Sequence, residues 1–375
     1  MISRALHIPK ANFFKTEVST SRNIGLDILR AICAILVVLS HSNNILGNYT
    51  SVYRIIFPLG YFAQDVFFSL SGFLICNQLI NYSALSFKNY ALLKFYKNRW
   101  FRTIPFYFIF LLINFCLYIF IYRHSSLNYL KTDFNLLNYF TFTQNLSSPH
   151  PYFYPEIWPI SIEEWSYLFL PLPFLLISKF KSNNINILIV TLILLVLLVN
   201  ILRINGVFKY NPEQDWGIRK IVLYRLDAIL YGAVIALLMN KFKPWFSKKR
   251  ILLLILGFII GTTLNLLLIK TNNSYSNSFL FLLCPIAGGL IIPYFNYTPF
   301  SSHPFNKLFT HISLISYSIL LCHLYFIQFS LLLLFHPNNT ITSLIVTLLY
   351  FISVLLFSTF FYNYIERPIL LLRKK

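Results

Sequence analysis

The chain has 375 residues, of which 57% are apolar and 18% aromatic while only 11% are charged, where a soluble domain carries about a quarter. The apolar residues fall in blocks of about 17–25, the length that crosses a bilayer core of roughly 30 Å, and runs such as 185–201 and 251–269 are apolar on every face, which argues against a soluble protein with an oversized core. The formal net charge of +20 flanks those blocks, so it reads as a topology signal and not as a nucleic-acid-binding surface.

In chain order, the first 24 residues are polar and basic, with no short apolar core before a small-residue cleavage site. No cleaved signal peptide is expected, and the first span should stay in the membrane. The periodicity and block lengths predict an all-α, polytopic membrane bundle of ten spans, near 27–46, 61–80, 104–122, 158–178, 185–202, 221–240, 251–269, 278–295, 309–335 and 341–364. The last two are long and can include tilted or interfacial ends. Of the 31 Lys and Arg, 21 fall on the side that holds both termini, eight on the other, and Arg30 and Arg225 within spans. Positive charge stays inside, so both termini are expected in the cytoplasm, as an even number of spans also demands. This divides the chain into a cytoplasmic N-terminal segment (1–24), a membrane domain (25–368) and a basic cytoplasmic tail (369–375). The outer 203–220 loop, with Arg203, Lys209, Arg219 and Lys220, breaks the charge rule. We read it as a local exception; a site for an anionic glycan or lipid head group is the other reading. The largest outer loop, 123–157, is polar and rich in Asn and Tyr. The five cysteines all fall inside apolar spans without a CxxC pair, so they read as small core residues and not as disulfides or metal ligands.

Ionisable groups inside a membrane are expensive and point to function, and here they are few. In the first span Asp27 and Arg30 are three apart and share a face. His41 follows Arg30 by eleven residues, which returns to within about 20° of that face and roughly 16 Å along the axis. Asp65, Ser69 and Gly72 form one stripe of the second span; Asp65 lies near His41 in depth, where it orients the imidazole or serves as an interfacial charge. Arg99 and Arg102 stand three apart at the inner membrane face, where two guanidinium forks can grip phosphates or simply hold the positive-inside charge. Trp158, Ser161, Glu163 and Glu164 open the fourth span, and repulsion and desolvation oppose ionising both carboxylates. Arg225 and Asp227 in the sixth span are two apart, do not face each other, and each needs a partner elsewhere. In the ninth span Ser316 and His323 share a face, and His323 taken alone reads as a satisfied core residue.

Together these residues resemble the opening and order of the acyltransferase-3 family of membrane proteins. The resemblance rests on Arg30 and His41, on the Phe67–Ile75 run, on Arg99 and Arg102, on Trp158, Ser161, Glu163 and Glu164, on Arg225 and Asp227, on Ser316, Tyr317 and His323, and on Glu366, Arg367 and Pro368. It covers nearly the whole chain. Pro159 stands where a Ser is usual, Trp165 and Ser166 replace a Gln and an aromatic, and Leu320 replaces a frequent Tyr, departures that bear on the acceptor more than on the chemistry.

What the resemblance implies is transfer of an acyl group, usually acetyl from acetyl-CoA, to a hydroxyl of a cell-envelope glycan such as lipopolysaccharide O-antigen or exopolysaccharide, by a multi-pass protein of a bacterial inner membrane. Acyl-CoA is then the donor substrate; no tightly bound cofactor, metal or nucleic acid is expected, and no oligomer is indicated. We expect Arg30, Arg99 and Arg102 on the CoA side. His41 acts as general base or first takes the acyl group itself, with Asp65, Glu163 or Glu164 orienting the imidazole or the sugar. Ser71, Trp158, Ser161, Arg225, Asp227, Tyr317 and His323 are candidate contacts to the acceptor or the oxyanion. The competing class is a glycan or lipid-linked-sugar flippase, which polar residues in a bundle would also suit, although no inverted repeat is visible.

Overall fold

The computed structural model describes residues 22–46, 53–83, 89–125, 132–179, 184–270, 274–300 and 304–372. The N-terminal segment up to residue 21 and the last three residues of the basic tail lie outside the described residues. Within them every regular element is helical, and ten stretches are long and apolar enough to cross a membrane. These are span 1, Ile24–Leu46; span 2, Pro58–Tyr82; span 3, Leu92–His124; span 4, Pro155–Ile177; span 5, Ile185–Tyr210; span 6, Val222–Lys241; span 7, Lys243–Leu268; span 8, Asn277–Tyr297; span 9, Phe305–Phe335; and span 10, Thr340–Leu372. The predicted all-α bundle of ten spans is therefore the fold.

Spans 3 and 5 run well past the expected limits, for one reason. Hydropathy stops where charges begin, but the i to i−4 hydrogen bonds of a helix do not. Span 3 thus carries Arg99 and Arg102 on a continuous helix, Asn89–Phe120. Span 5 carries Arg203, expected in a loop, on Ile185–Tyr210.

Span 2 lies at the centre, with 72% of its most apolar stretch buried, while span 5 has 22% and faces outward. Spans 2 and 6 cross at their glycines: a Cβ on Gly72 would fall 1.9 Å from the Ile229 carbonyl oxygen, and one on Gly232 1.9 Å from that of Ser69. Small residues allow this backbone approach, the source of helix affinity in lipid. Two buried ion pairs lock the same region. Arg225 meets Asp65 across spans 6 and 2, and Arg203 meets Asp227 at 2.8 Å across spans 5 and 6.

The apolar core is split. One cluster is built mainly by spans 2, 6 and 8; the other by spans 3, 9 and 10 with the 134–154 loop. Spans 1 and 4 feed both: Leu29 and Cys33 face the first cluster, Ala31, Ala34 and Val38 the second. Cavities open along this seam. The 132–154 stretch, read from the sequence as part of a polar loop, is packed. Phe134 stacks on Phe153 with centroids 3.9 Å apart, and Tyr122, Tyr139, Phe153 and Tyr154 are fully buried. Its aromatic content outweighs its asparagines, because each ring buries a large apolar area once its hydroxyl finds a carbonyl; Tyr139 donates to Phe153 O at 2.8 Å.

Candidate active site

Two chambers lie on the seam, one toward each face of the bundle. The first, of about 100 Å³, is lined by Arg30, Arg99 and Arg102 with Ser71, Glu163, Tyr167 and Tyr317. Arg99 is fixed: it donates to Gln78 Oε1 at 2.7 Å and lies 5.5 Å from the centroid of Tyr167. Arg30 and Arg102 donate no hydrogen bond among the described residues. The carboxylate nearest Arg30, Asp27 at 3.9 Å, is already held by Arg22 at 2.6 and 2.9 Å and by Ser313 at 2.8 Å. Two guanidinium forks therefore face a cavity with donors to spare, the arrangement that binds phosphate or carboxylate oxygens bidentately.

The second chamber, of about 430 Å³, is lined by His41, Asn44, Tyr61, Tyr152, Glu156, Trp158, Asp215, Trp216, Arg219 and Lys220, among others. Val37, Gln64, Pro159, Leu320 and His323 line both chambers and so form the neck between them. His41 and His323 meet at this neck with ring centroids 5.0 Å apart and planes inclined at 57°.

The His323 side is set by a π-turn, His323–Gln328, inside span 9, a local widening that is frequent at functional sites. Neighbouring groups pin it. The Glu156 carboxylate accepts from Tyr325 N at 2.8 Å, Tyr122 OH donates to Tyr325 O at 2.6 Å, and Tyr154, itself at φ 49°, donates to Leu321 O at 2.8 Å. The turn ends at Gln328, whose amide donates to His41 O at 2.7 Å and accepts from Asn44 at 2.7 Å. One residue thus ties the end of span 1 to the π-turn and sets the two imidazoles against each other.

In the second chamber the cations are internally satisfied. Asp215 accepts from Arg219 at 3.0 Å, from Lys220 at 2.6 Å and from Tyr61 at 3.1 Å. Arg219 stacks 3.6 Å from the Tyr61 centroid, and Lys220 lies 3.4 Å from that of Trp216. Burial raises the Asp215 carboxyl, but Lys220 and Arg219 outweigh it and hold the group well below the usual carboxylate range. Burial lowers the Lys220 ammonium, against the pull of Asp215.

The predicted residues divide accordingly. His41 and Trp158 line the larger chamber; Arg30, Arg99, Arg102, Ser71, Glu163 and Tyr317 line the smaller; His323 lines both. The carboxylates expected beside His41 are engaged elsewhere. Asp65 is spent on Arg225. Glu163 accepts from Ser71 at 2.8 Å and Tyr167 at 3.0 Å, and Glu164 from Thr103 at 2.6 Å. Depth explains the last two: at 1.5 Å per residue, Glu163 lies roughly 8 Å further along span 4 than Trp158. Ser161 is fully buried and accepts from Gln144 at 2.7 Å, outside both linings, and the Tyr317 hydroxyl donates to Thr103 O at 3.0 Å. Arg225 and Asp227 are buried in their ion pairs and line neither chamber. Reading the sequence missed Gln64, Glu156, Asp215 and Gln328 as wall or scaffold. Only Asp215 left a signal, its i, i+4 spacing to Arg219. It also cast Arg219 and Lys220 as a loop exception, whereas both are chamber walls.

A sequence model of the acyltransferase-3 family, described as an acyltransferase domain, matches residues 23–363. Among curated proteins, the chain is similar to the O-acetyltransferase OatA of Staphylococcus aureus strains NCTC 8325 / PS 47, COL and MRSA252. Each is 30% identical over 257 residues, a stretch covering 64% of this chain and 40% of the relative. The chain therefore spans less than half the length of these relatives. No solved structure matches.

Proposed function

The chain belongs to the acyltransferase-3 family, and from that premise we propose that it moves an acetyl group from acetyl-CoA to a hydroxyl of a cell-envelope glycan, such as lipopolysaccharide O-antigen or exopolysaccharide, across a bacterial inner membrane. The observation that carries this reading is the pair of chambers meeting at His41 and His323, one cationic and one aromatic. The O-acetyltransferase activity for which the Staphylococcus aureus relatives are named supports acetyl as the group moved, and the Lys and Arg excess on the face with both termini supports placing the arginine chamber toward the cytoplasm.

In this reaction Arg30, Arg99 and Arg102 grip the phosphates of CoA, and the pantetheine arm runs along span 1 to the neck. The acceptor hydroxyl enters from the larger chamber. His41 removes its proton as the oxygen attacks the thioester carbon, or takes the acyl group first and passes it on. Gln64, a polar side chain shared by both chambers, offers an amide donor for the developing oxyanion. Glu163, held by Ser71 and Tyr167, offsets part of the charge of the three arginines and leaves the rest for the phosphates.

Two chambers in line would also suit a flippase for a lipid-linked sugar, and one experiment separates the readings. Membranes containing the chain are given radiolabelled acetyl-CoA, and label in base-labile ester is counted. We expect incorporation that falls by about 10²–10⁴ in His41→Ala while that variant still inserts. Wild-type-like incorporation in His41→Ala would sink the mechanism; no incorporation by either protein with a broad set of envelope glycans present would favour the flippase.

A further inference from the structure

His323 shows three features that a packed core histidine does not need. It lines both chambers, whereas His41 lines only the larger one. Its Nδ1 lies 3.0 Å from Ile319 O and 3.1 Å from Leu320 O, so the proton is assigned to Nδ1 and the Nε2 lone pair is left as acceptor. That Nε2 is buried and has no hydrogen-bond partner among the described residues, in a residue 1% exposed, although its neighbour across the neck is a second imidazole at 5.0 Å between centroids. A buried nitrogen without a partner carries a desolvation cost, and the π-turn that aims it is held by Glu156, Tyr122 and Tyr154 and not left to relax.

Resting on the acyl-transfer reading above, we propose that His323 is the second imidazole of the reaction, carrying the acceptor's proton to the departing sulfur of CoA. The acceptor oxygen forms a bond to the acyl carbon, the carbon–sulfur bond breaks and its electron pair goes to sulfur. The hydroxyl proton passes to His41, from His41 to Nε2 of His323, and from Nε2 to the thiolate, so free CoA leaves as the thiol and both imidazoles end neutral. The geometry calls for two groups because acceptor and leaving group sit on opposite sides of the neck: His41 reaches the side where the proton is released, and His323 reaches both. Throughout, the Nδ1–H stays on the Ile319 and Leu320 carbonyls and keeps the ring in the tautomer that can accept at Nε2.

General acid assistance matters more as the leaving group becomes more basic, and this separates a proton donor from a packing residue. The full chain in acceptor-bearing membranes is assayed with acetyl-CoA and with the acetyl thioester of a CoA analogue that carries fluorines beside the sulfur-bearing carbon, which lowers the thiol's basicity. We expect the unsubstituted chain to use both at similar rates. His323→Gln should be about 100-fold slower with acetyl-CoA, recover most of that deficit with the fluorinated donor, and keep its KM for either. An equal loss with both donors would assign His323 a structural role and overturn the proposal, as would wild-type rates in the variant. Should the variant insert poorly, the unsubstituted chain still decides: a rate that climbs steeply as the thiol becomes less basic shows an unassisted leaving group and overturns the proposal. No label from the unsubstituted chain with either donor overturns the acyl-CoA reading itself, and this inference with it, whereas an active chain indifferent to His323→Gln removes this inference alone.

Discussion

The two chambers treat positive charge in opposite ways. In the smaller, Arg30 and Arg102 donate no hydrogen bond among the described residues, and Asp27, the acid nearest Arg30, is already occupied by Arg22 and Ser313. In the larger, Arg219 and Lys220 share Asp215 and each covers an aromatic ring. A buried charge short of partners is costly, so a chamber whose guanidiniums keep unused donors is built for an anion that arrives from elsewhere. A chamber that satisfies its own cations asks its occupant for shape and hydrogen bonds and not for charge. The proposed reaction needs that contrast: a polyanionic donor on one side and a hydroxyl-bearing sugar on the other.

The contrast is broken most directly at the smaller chamber. Replacing Arg99 and Arg102 together by Ala removes two charged grips, each worth about 1.5–3 kcal/mol, and should raise the KM for acetyl-CoA by about 10²–10⁴. Arg102→Ala alone should leave thermal unfolding in detergent almost unchanged, because that side chain donates no hydrogen bond among the described residues. An unaltered dependence of rate on acetyl-CoA concentration in the double variant would mean that these two guanidiniums serve topology only.

The larger chamber should respond in the reverse sense. Asp215→Asn leaves Arg219 and Lys220 facing each other without their shared anion. Loss of one partner of a buried pair costs about 3–5 kcal/mol, and since Asp215 is 24% exposed the lower end, about 3, applies. Thermal unfolding should show the loss, while the KM for acetyl-CoA stays put. The sign of the pH effect follows from the lowered folded pKa. Such a carboxylate contributes stability that is fully present above its unfolded pKa of about 3.9 and is lost only as pH falls through the folded value. The penalty of Asp215→Asn should therefore be constant from pH 5 to 8. A penalty that fades within that window would show Asp215 already protonated in the native state, and its neighbours not satisfied.

This contrast was half legible in the sequence. The helix period alone aligned Arg30 with His41, and i, i+3 spacing put Arg99 beside Arg102 on one face; both inferences are local. Pairings across the chain were not readable. Asp65 and Arg225 are 160 positions apart, so nothing in the second span announced that Asp65 was committed to span 6 and not to His41. Glu163 and Glu164 were read at the depth where span 4 begins, yet the helix carries them past the neck. The π-turn at His323 has no sequence signature, since its extra residue is recognised only by the backbone bonds it displaces. Arg219 and Lys220 looked like stray loop charges because their rings, Tyr61 and Trp216, had not been brought beside them.

The smallest effect tests the joint between the chambers. Gln328 donates to His41 O and accepts from Asn44, which makes it a positioning residue at the end of the turn that bears His323. Gln328→Ala deletes both hydrogen bonds, each worth about 1 kcal/mol net, and leaves the His41 carbonyl without this partner. The bundle should unfold at nearly the same temperature, since the packing of spans 1 and 9 does not depend on the amide. The imidazole spacing does depend on it. We expect kcat for acetyl transfer to fall about tenfold, equivalent to about 1.4 kcal/mol in the barrier, with no change in the KM for acetyl-CoA because the arginine chamber is untouched. Gln328→Glu keeps the acceptor to Asn44 and loses the donor to His41 O, so it should retain only part of the rate. If KM rises while kcat holds, the clamp acts on donor binding instead, and the two chambers are less independent than their charge patterns indicate.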